Sequence, residues 1–149
     1  MRQKKPFFWE EKNFISFLLL PLSLITFTLN LRKIFIQKKK FRIKTICVGN
    51  IYVGGTGKTS LSIKLYEILK KNYKTVFVKK KYFDQFDEKY LLNSYGEVVS
   101  NLERTESLLK AQNQNFDLAI IDDGLQEKKI NYDLSIACFN PSYGIGNGF

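Results

Sequence analysis

Ile46-Cys47-Val48-Gly49-Asn50-Ile51-Tyr52-Val53-Gly54-Gly55-Thr56-Gly57-Lys58-Thr59 runs from a β-prone stretch through a glycine-rich loop. The segment that follows, Ser60–Lys71, carries apolar residues at Leu61, Ile63, Leu65, Tyr66, Ile68 and Leu69, one face of a helix. A strand, a glycine-rich loop with Gly-Lys-Thr and a helix are the setting in which this pattern reads as a phosphate-binding P-loop. Glycines at 54, 55 and 57 let backbone N–H groups approach phosphate oxygens, and the helix N-terminus adds partial positive charge. Lys58 is expected to reach the β- and γ-phosphates of a nucleotide, and the Thr59 hydroxyl to hold Mg2+. The loop is a variant, because Tyr52 stands where the usual pattern has its first glycine.

Working outward, Thr75–Val78, Phe116–Ile121 and Asp133–Phe139 are apolar runs of strand length, and Glu88–Ser94 and Glu103–Gln112 read as helices. Strands alternating with helices predict an α/β fold: a P-loop NTPase-like, mainly parallel sheet flanked by helices. The run at 116–121 ends in Asp122-Asp123-Gly124. A strand-end Asp beside a P-loop can hold Mg2+ directly or through water. Paired Asp before Gly is also common in turns, where the carboxylates accept from local N–H groups. Asp87-Glu88 precedes a helical pattern and, taken alone, reads as a helix N-terminal acidic pair.

The +10 net charge is unevenly placed, since residues 1–44 carry +9 of it. Within that arm, Phe14–Leu31 (FISFLLLPLSLITFTLNL) holds 18 residues without a charge, enough for a membrane-spanning helix or one lying in the interface. Pro21 is tolerated in such a setting. Basic residues from Arg32 to Lys44 follow it, which places that side in the cytoplasm, against an anionic surface. The chain therefore divides into a membrane-anchoring segment, 1–44, and a nucleotide-binding domain, 45–149. Charges that border so long an apolar stretch favour a membrane over nucleic acid. Cys47 and Cys138 lie in apolar runs and are expected to be reduced, buried thiols. The sequence has no histidine, so His-based acid/base catalysis and a Cys/His zinc site are excluded for this chain.

The string Val48-Gly49-Asn50, Val53 to Thr59, Asp87-Glu88, Asp122-Asp123-Gly124-Leu125-Gln126 and Gly146-Asn147-Gly148 resembles the tetraacyldisaccharide 4'-kinase family of lipid A synthesis. So does the opening, with Trp9, an apolar helix and basic residues before the first strand. The resemblance implies transfer of the ATP γ-phosphate to the 4'-hydroxyl of the lipid A disaccharide precursor. Residues 52–59 and Gln126 would then contact ATP, and Thr59, Asp122 and Asp123 would serve Mg2+. Lys58 would act in catalysis, and Asp87 would match the Asp of a Gly-Asp-Glu-Pro motif that helps activate the hydroxyl. An N-terminal helix would hold the protein at the cytoplasmic face of the inner membrane, where the lipid lies.

The chain departs from the family pattern at several points. Phe86 and Lys89 flank Asp87-Glu88 where Gly and Pro are usual, and Glu127 stands where His is common. Lys79-Lys80-Lys81-Tyr82 replaces a Ser-Arg-Gly-Tyr-like stretch. The family also continues past Gly-Asn-Gly into a second half, so the resemblance implies a fragment with little activity alone. A membrane-tethered P-loop ATPase or nucleotide switch of another class is the alternative. No Asn-Lys-x-Asp guanine signature is present, so ATP is preferred to GTP.

Overall fold

The computed structural model describes residues 14–18, 20–31, 37–50, 57–81 and 86–139. Loop residues 51–56, with Tyr52, Val53, Gly54, Gly55 and Thr56, lie outside them, as do Trp9 and Gly146-Asn147-Gly148. The chain separates into two compact units, residues 1–37 with 141–149, and residues 38–140.

In the larger unit five strands form one parallel sheet: β1 (Lys44–Asn50), β2 (Thr75–Lys80), β3 (Val98–Asn101), β4 (Leu118–Asp122) and β5 (Leu134–Cys138). Their order is β3-β2-β4-β1-β5. Parallel strands covered on both faces read as unbroken apolar runs. That is the texture of β2 and β4, which are buried along nearly their whole length. At the sheet's edge β5 is different: Leu134 is half exposed, and the strand alternates between exposed and half-buried positions.

Helices cover the sheet as parallel crossovers require. Over one face lies the helix labelled α3 (Lys58–Leu69), with Val48, Phe77, Leu118 and Ile120 beneath it. On the opposite face, α5 (Arg104–Asn113) sets Leu108 and Ala111 against Val76, Val78, Ala119 and Ile121. That face is completed by Phe41, Ile43 and Ile130, because Lys39 bridges to Ile130 in parallel ahead of β1. Between β2 and β3, α4 (Phe86–Asn93) is anchored by Leu92, which is fully buried in the α3-side cluster.

In this unit each strand and helix expected from the sequence is present, with ends shifted by a few residues. Strand β3 was not expected. It is four residues long, follows Gly96 and sits at the other sheet edge, too short for a periodicity to show.

In the smaller unit the described residues form α1 (Phe14–Leu18) and α2 (Leu20–Leu31). Phe17, Leu22, Leu24, Ile25 and Phe27 are all exposed. The Thr26 and Thr28 hydroxyls donate to the carbonyls of Ser23 and Ile25, both at 2.8 Å, so they are satisfied within the helix. Among the described residues no helix is long and apolar enough to cross a membrane.

Candidate nucleotide site

The C-terminal ends of β1 and β4 and the N-terminus of α3 meet on one side of the sheet. In open α/β sheets this is where ligands bind. Gly57 caps α3 in the left-handed conformation (φ 75°), and the Leu61 amide donates to its carbonyl at 2.9 Å. No acidic residue stands in the first turn of α3, so its positive N-terminal field is not neutralised locally. Lys58 and Thr59 occupy the first two positions of the helix, both half-buried.

Asp122 and Asp123 are adjacent but have opposite environments. Asp122 is almost wholly buried. Its Oδ1 accepts from the Ser62 hydroxyl of α3 at 3.3 Å, and its Oδ2 faces the Lys79 ammonium at 3.4 Å. Burial pushes the Asp122 carboxyl above the usual carboxylate range, against the pull of Lys79. Asp123 turns into the left-handed region (φ 59°), while its amide donates to the Val48 carbonyl at 2.8 Å. This turn aims its carboxylate outward, and Oδ1 stands 3.8 Å from the Lys58 ammonium. The pair that the sequence placed together is thus split between the interior and the loop side.

The turn after β4 explains two glycines of the motifs. A Cβ on Gly124 would lie 2.6 Å from Ile121 Cγ2 and 2.9 Å from Cys47 Sγ, and a Cβ on Gly49 would lie 2.6 Å from Leu125 Cγ. The Val-Gly-Asn and Asp-Asp-Gly-Leu-Gln segments therefore interlock at the ends of adjacent strands. The guanidinium of Arg104, buried at the start of α5, donates to the Asp123 carbonyl. Gln126 is exposed in the turn, where the Glu127 amide donates to Gly124 O at 3.0 Å.

Asp87 is exposed in the first turn of α4. Its neighbour Glu88 pairs with Lys79, so one ammonium joins α4 to Asp122 of β4. Lys79, Ser62 and Arg104 were not singled out from the sequence. For Lys79 a signal existed: with period 2 along β2 it shares a face with Phe77, so a lysine falls on the buried, α3-covered side of an interior strand. Among the described residues no group of three or more Cys, Asp or Glu is placed to hold a metal on its own.

A family model described as Tetraacyldisaccharide-1-P 4'-kinase matches residues 15–86. A tetraacyldisaccharide 4'-kinase of Pelagibacter ubique is 53% identical over 154 residues, covering 99% of this chain and 48% of that protein. One from Rickettsia canadensis is 36% identical over 162 residues, covering 97% and 50%. Among solved structures, LpxK from Aquifex aeolicus in complex with ATP superposes with a TM-score of 0.68 at 29% identity. That match covers 80% of this chain and 47% of the crystallised one. The chain spans about half the length of the curated relatives it matches. By sequence along nearly its whole length, and by fold, it matches the N-terminal half of the tetraacyldisaccharide 4'-kinase family.

Proposed function

We propose that this chain is the ATP-binding part of a lipid kinase that moves the γ-phosphate of ATP to the 4'-hydroxyl of the lipid A disaccharide precursor. The observation that carries it is the Lys58 ammonium, at the N-terminus of α3, facing the Asp123 carboxylate at the end of β4. Phosphoryl transfer asks a protein mainly for positioning and neutralisation of charge. Lys58 supplies the charge on the terminal phosphates, and residues 52–59 with Gln126 cradle the nucleotide. The Thr59 hydroxyl and Asp123 carboxylate are oxygen donors of the kind a hard cation takes, so they fit Mg2+. When bound, Mg2+ would neutralise charge on the phosphate oxygens. Asp122, held by Ser62 and Lys79, supports this site from the interior. Asp87, exposed on α4, is the group to accept the proton of the sugar hydroxyl.

Residues 1–44 anchor the domain of residues 45–149 at the cytoplasmic face of the inner membrane. The exposed apolar side chains of α1 and α2 and the +9 charge of the arm support this, with anionic lipid as partner. The decisive test is Lys58→Ala in isothermal calorimetry with Mg2+-ATP. Binding should be lost, and unchanged affinity would refute the nucleotide assignment. Flotation with anionic liposomes tests the arm: the chain should float, and a form lacking residues 1–37, which keeps the sheet and its core whole, should not.

A further inference from the structure

Lys79 is 3% exposed, a position where an ammonium persists only if carboxylates meet it. Two do. Asp122 Oδ2 lies 3.4 Å away on the neighbouring strand, as the pairing of Val78 with Ile121 requires, and Glu88 reaches in from α4. Ser62 takes the other oxygen of Asp122, so side chains of β2, β4, α3 and α4 close on one point. The two ends of α4 are held differently. Leu92 buries its far end among apolar side chains, whereas Asp87 and Glu88 at the near end are exposed. The Glu88–Lys79 pair joins this near end to the sheet.

Resting on the kinase reading above, we propose that Lys79 is a positioning residue for phosphoryl transfer. Through Glu88 and Asp122 it ties the start of α4, where Asp87 stands, to the end of β4 beside the nucleotide. Asp87 on an untethered helix end would sample many distances from the γ-phosphate, and small misplacements of a reacting group are costly in rate.

The test uses the 149-residue chain, isotopically labelled, with Mn2+-ATP as a paramagnetic probe read by amide line broadening. In the unaltered protein the amides of Thr59, Asp123, Asp87 and Glu88 should all broaden, because the tie keeps α4 close to the metal-nucleotide. In Lys79→Met the broadening should persist at Thr59 and Asp123 and be lost at Asp87 and Glu88. Glu88→Ala should give the same selective loss. It leaves Lys79 on Asp122, strands no buried charge, and so decides the matter if Lys79→Met does not fold. Lys79→Arg, which keeps a cation, should restore the α4 signal. Broadening that persists at Asp87 in both Glu88→Ala and a folded Lys79→Met, or that never reaches α4 in the unaltered protein, overturns this proposal alone. No broadening anywhere overturns the nucleotide reading and this proposal with it.

Discussion

Replacing Gly124 by alanine should be among the most damaging single-methyl changes in this protein. The added Cβ would meet Ile121 Cγ2 at 2.6 Å, Cys47 Sγ at 2.9 Å and the Tyr132 hydroxyl at 3.0 Å. Ile121 and Cys47 are fully buried on adjacent central strands, so neither can step aside without moving the sheet. Overpacking of this kind costs about 1–3 kcal/mol. The Tyr132 hydroxyl also donates to the Gly124 carbonyl at 3.0 Å, and disturbing that bond adds about 0.5–1.5 kcal/mol. The expected loss is then about 1.5–4.5 kcal/mol, a large share of the ~5–15 kcal/mol that holds a typical domain. At about 4–8 °C per kcal/mol for a domain near this size, Tm should fall by about 6–36 °C. Urea and thermal unfolding followed by circular dichroism measure both. Tyr132→Phe removes one of the three walls, so the double variant should lose less than the sum of the two singles. A loss below about 0.5 kcal/mol for Gly124→Ala would refute the packing account of this turn.

The start of β5 carries an acid-sensitive clamp. The Asp133 carboxylate accepts from the Thr45 amide at 2.9 Å and its hydroxyl at 3.0 Å, and lies 3.4 Å from the Lys40 ammonium. Partial burial works against it, but these contacts prevail and hold the Asp133 carboxyl below the usual carboxylate range. Its contribution is therefore present above the unfolded carboxylate pKa and is lost as pH falls through the depressed folded value. Asp133→Asn should unfold at lower urea than the parent at neutral pH, and the gap should close in acid; a gap independent of pH would remove the clamp. Burial pushes the Cys47 thiol up to about 11, so in the native protein at pH 8 it should resist a disulfide reagent while half-buried Cys138 reacts. Equal labelling rates for the two before unfolding would contradict the burial of Cys47.

The larger elements were legible in the sequence because their signals are local. A glycine-rich loop between an apolar run and a helical face, and long apolar strands ending in Asp, follow from backbone freedom, periodicity and hydrophobicity, each carried by consecutive residues. Strand β3 escaped notice because four residues at a sheet edge carry too little pattern. The roles of single side chains were decided elsewhere. Nothing in Asp122-Asp123 says that one carboxylate is buried against Ser62 and Lys79 while the next turns through φ 59° toward Lys58. Lys79 stands in a run of three lysines; period 2 sets it on the Phe77 face, but the pairing of β2 with β4 is what brings it to Asp122. Gly49 and Gly124 are separated by 74 intervening residues, yet both are explained by the crowding of the same turn, with Leu125 over one and Cys47 beside the other. Patterns along the chain determine which strands and helices form, because each is stabilised by its own spacing of apolar residues. Strand order and helix placement decide which charges lose water and which keep it, and that choice depends on neighbours remote in sequence.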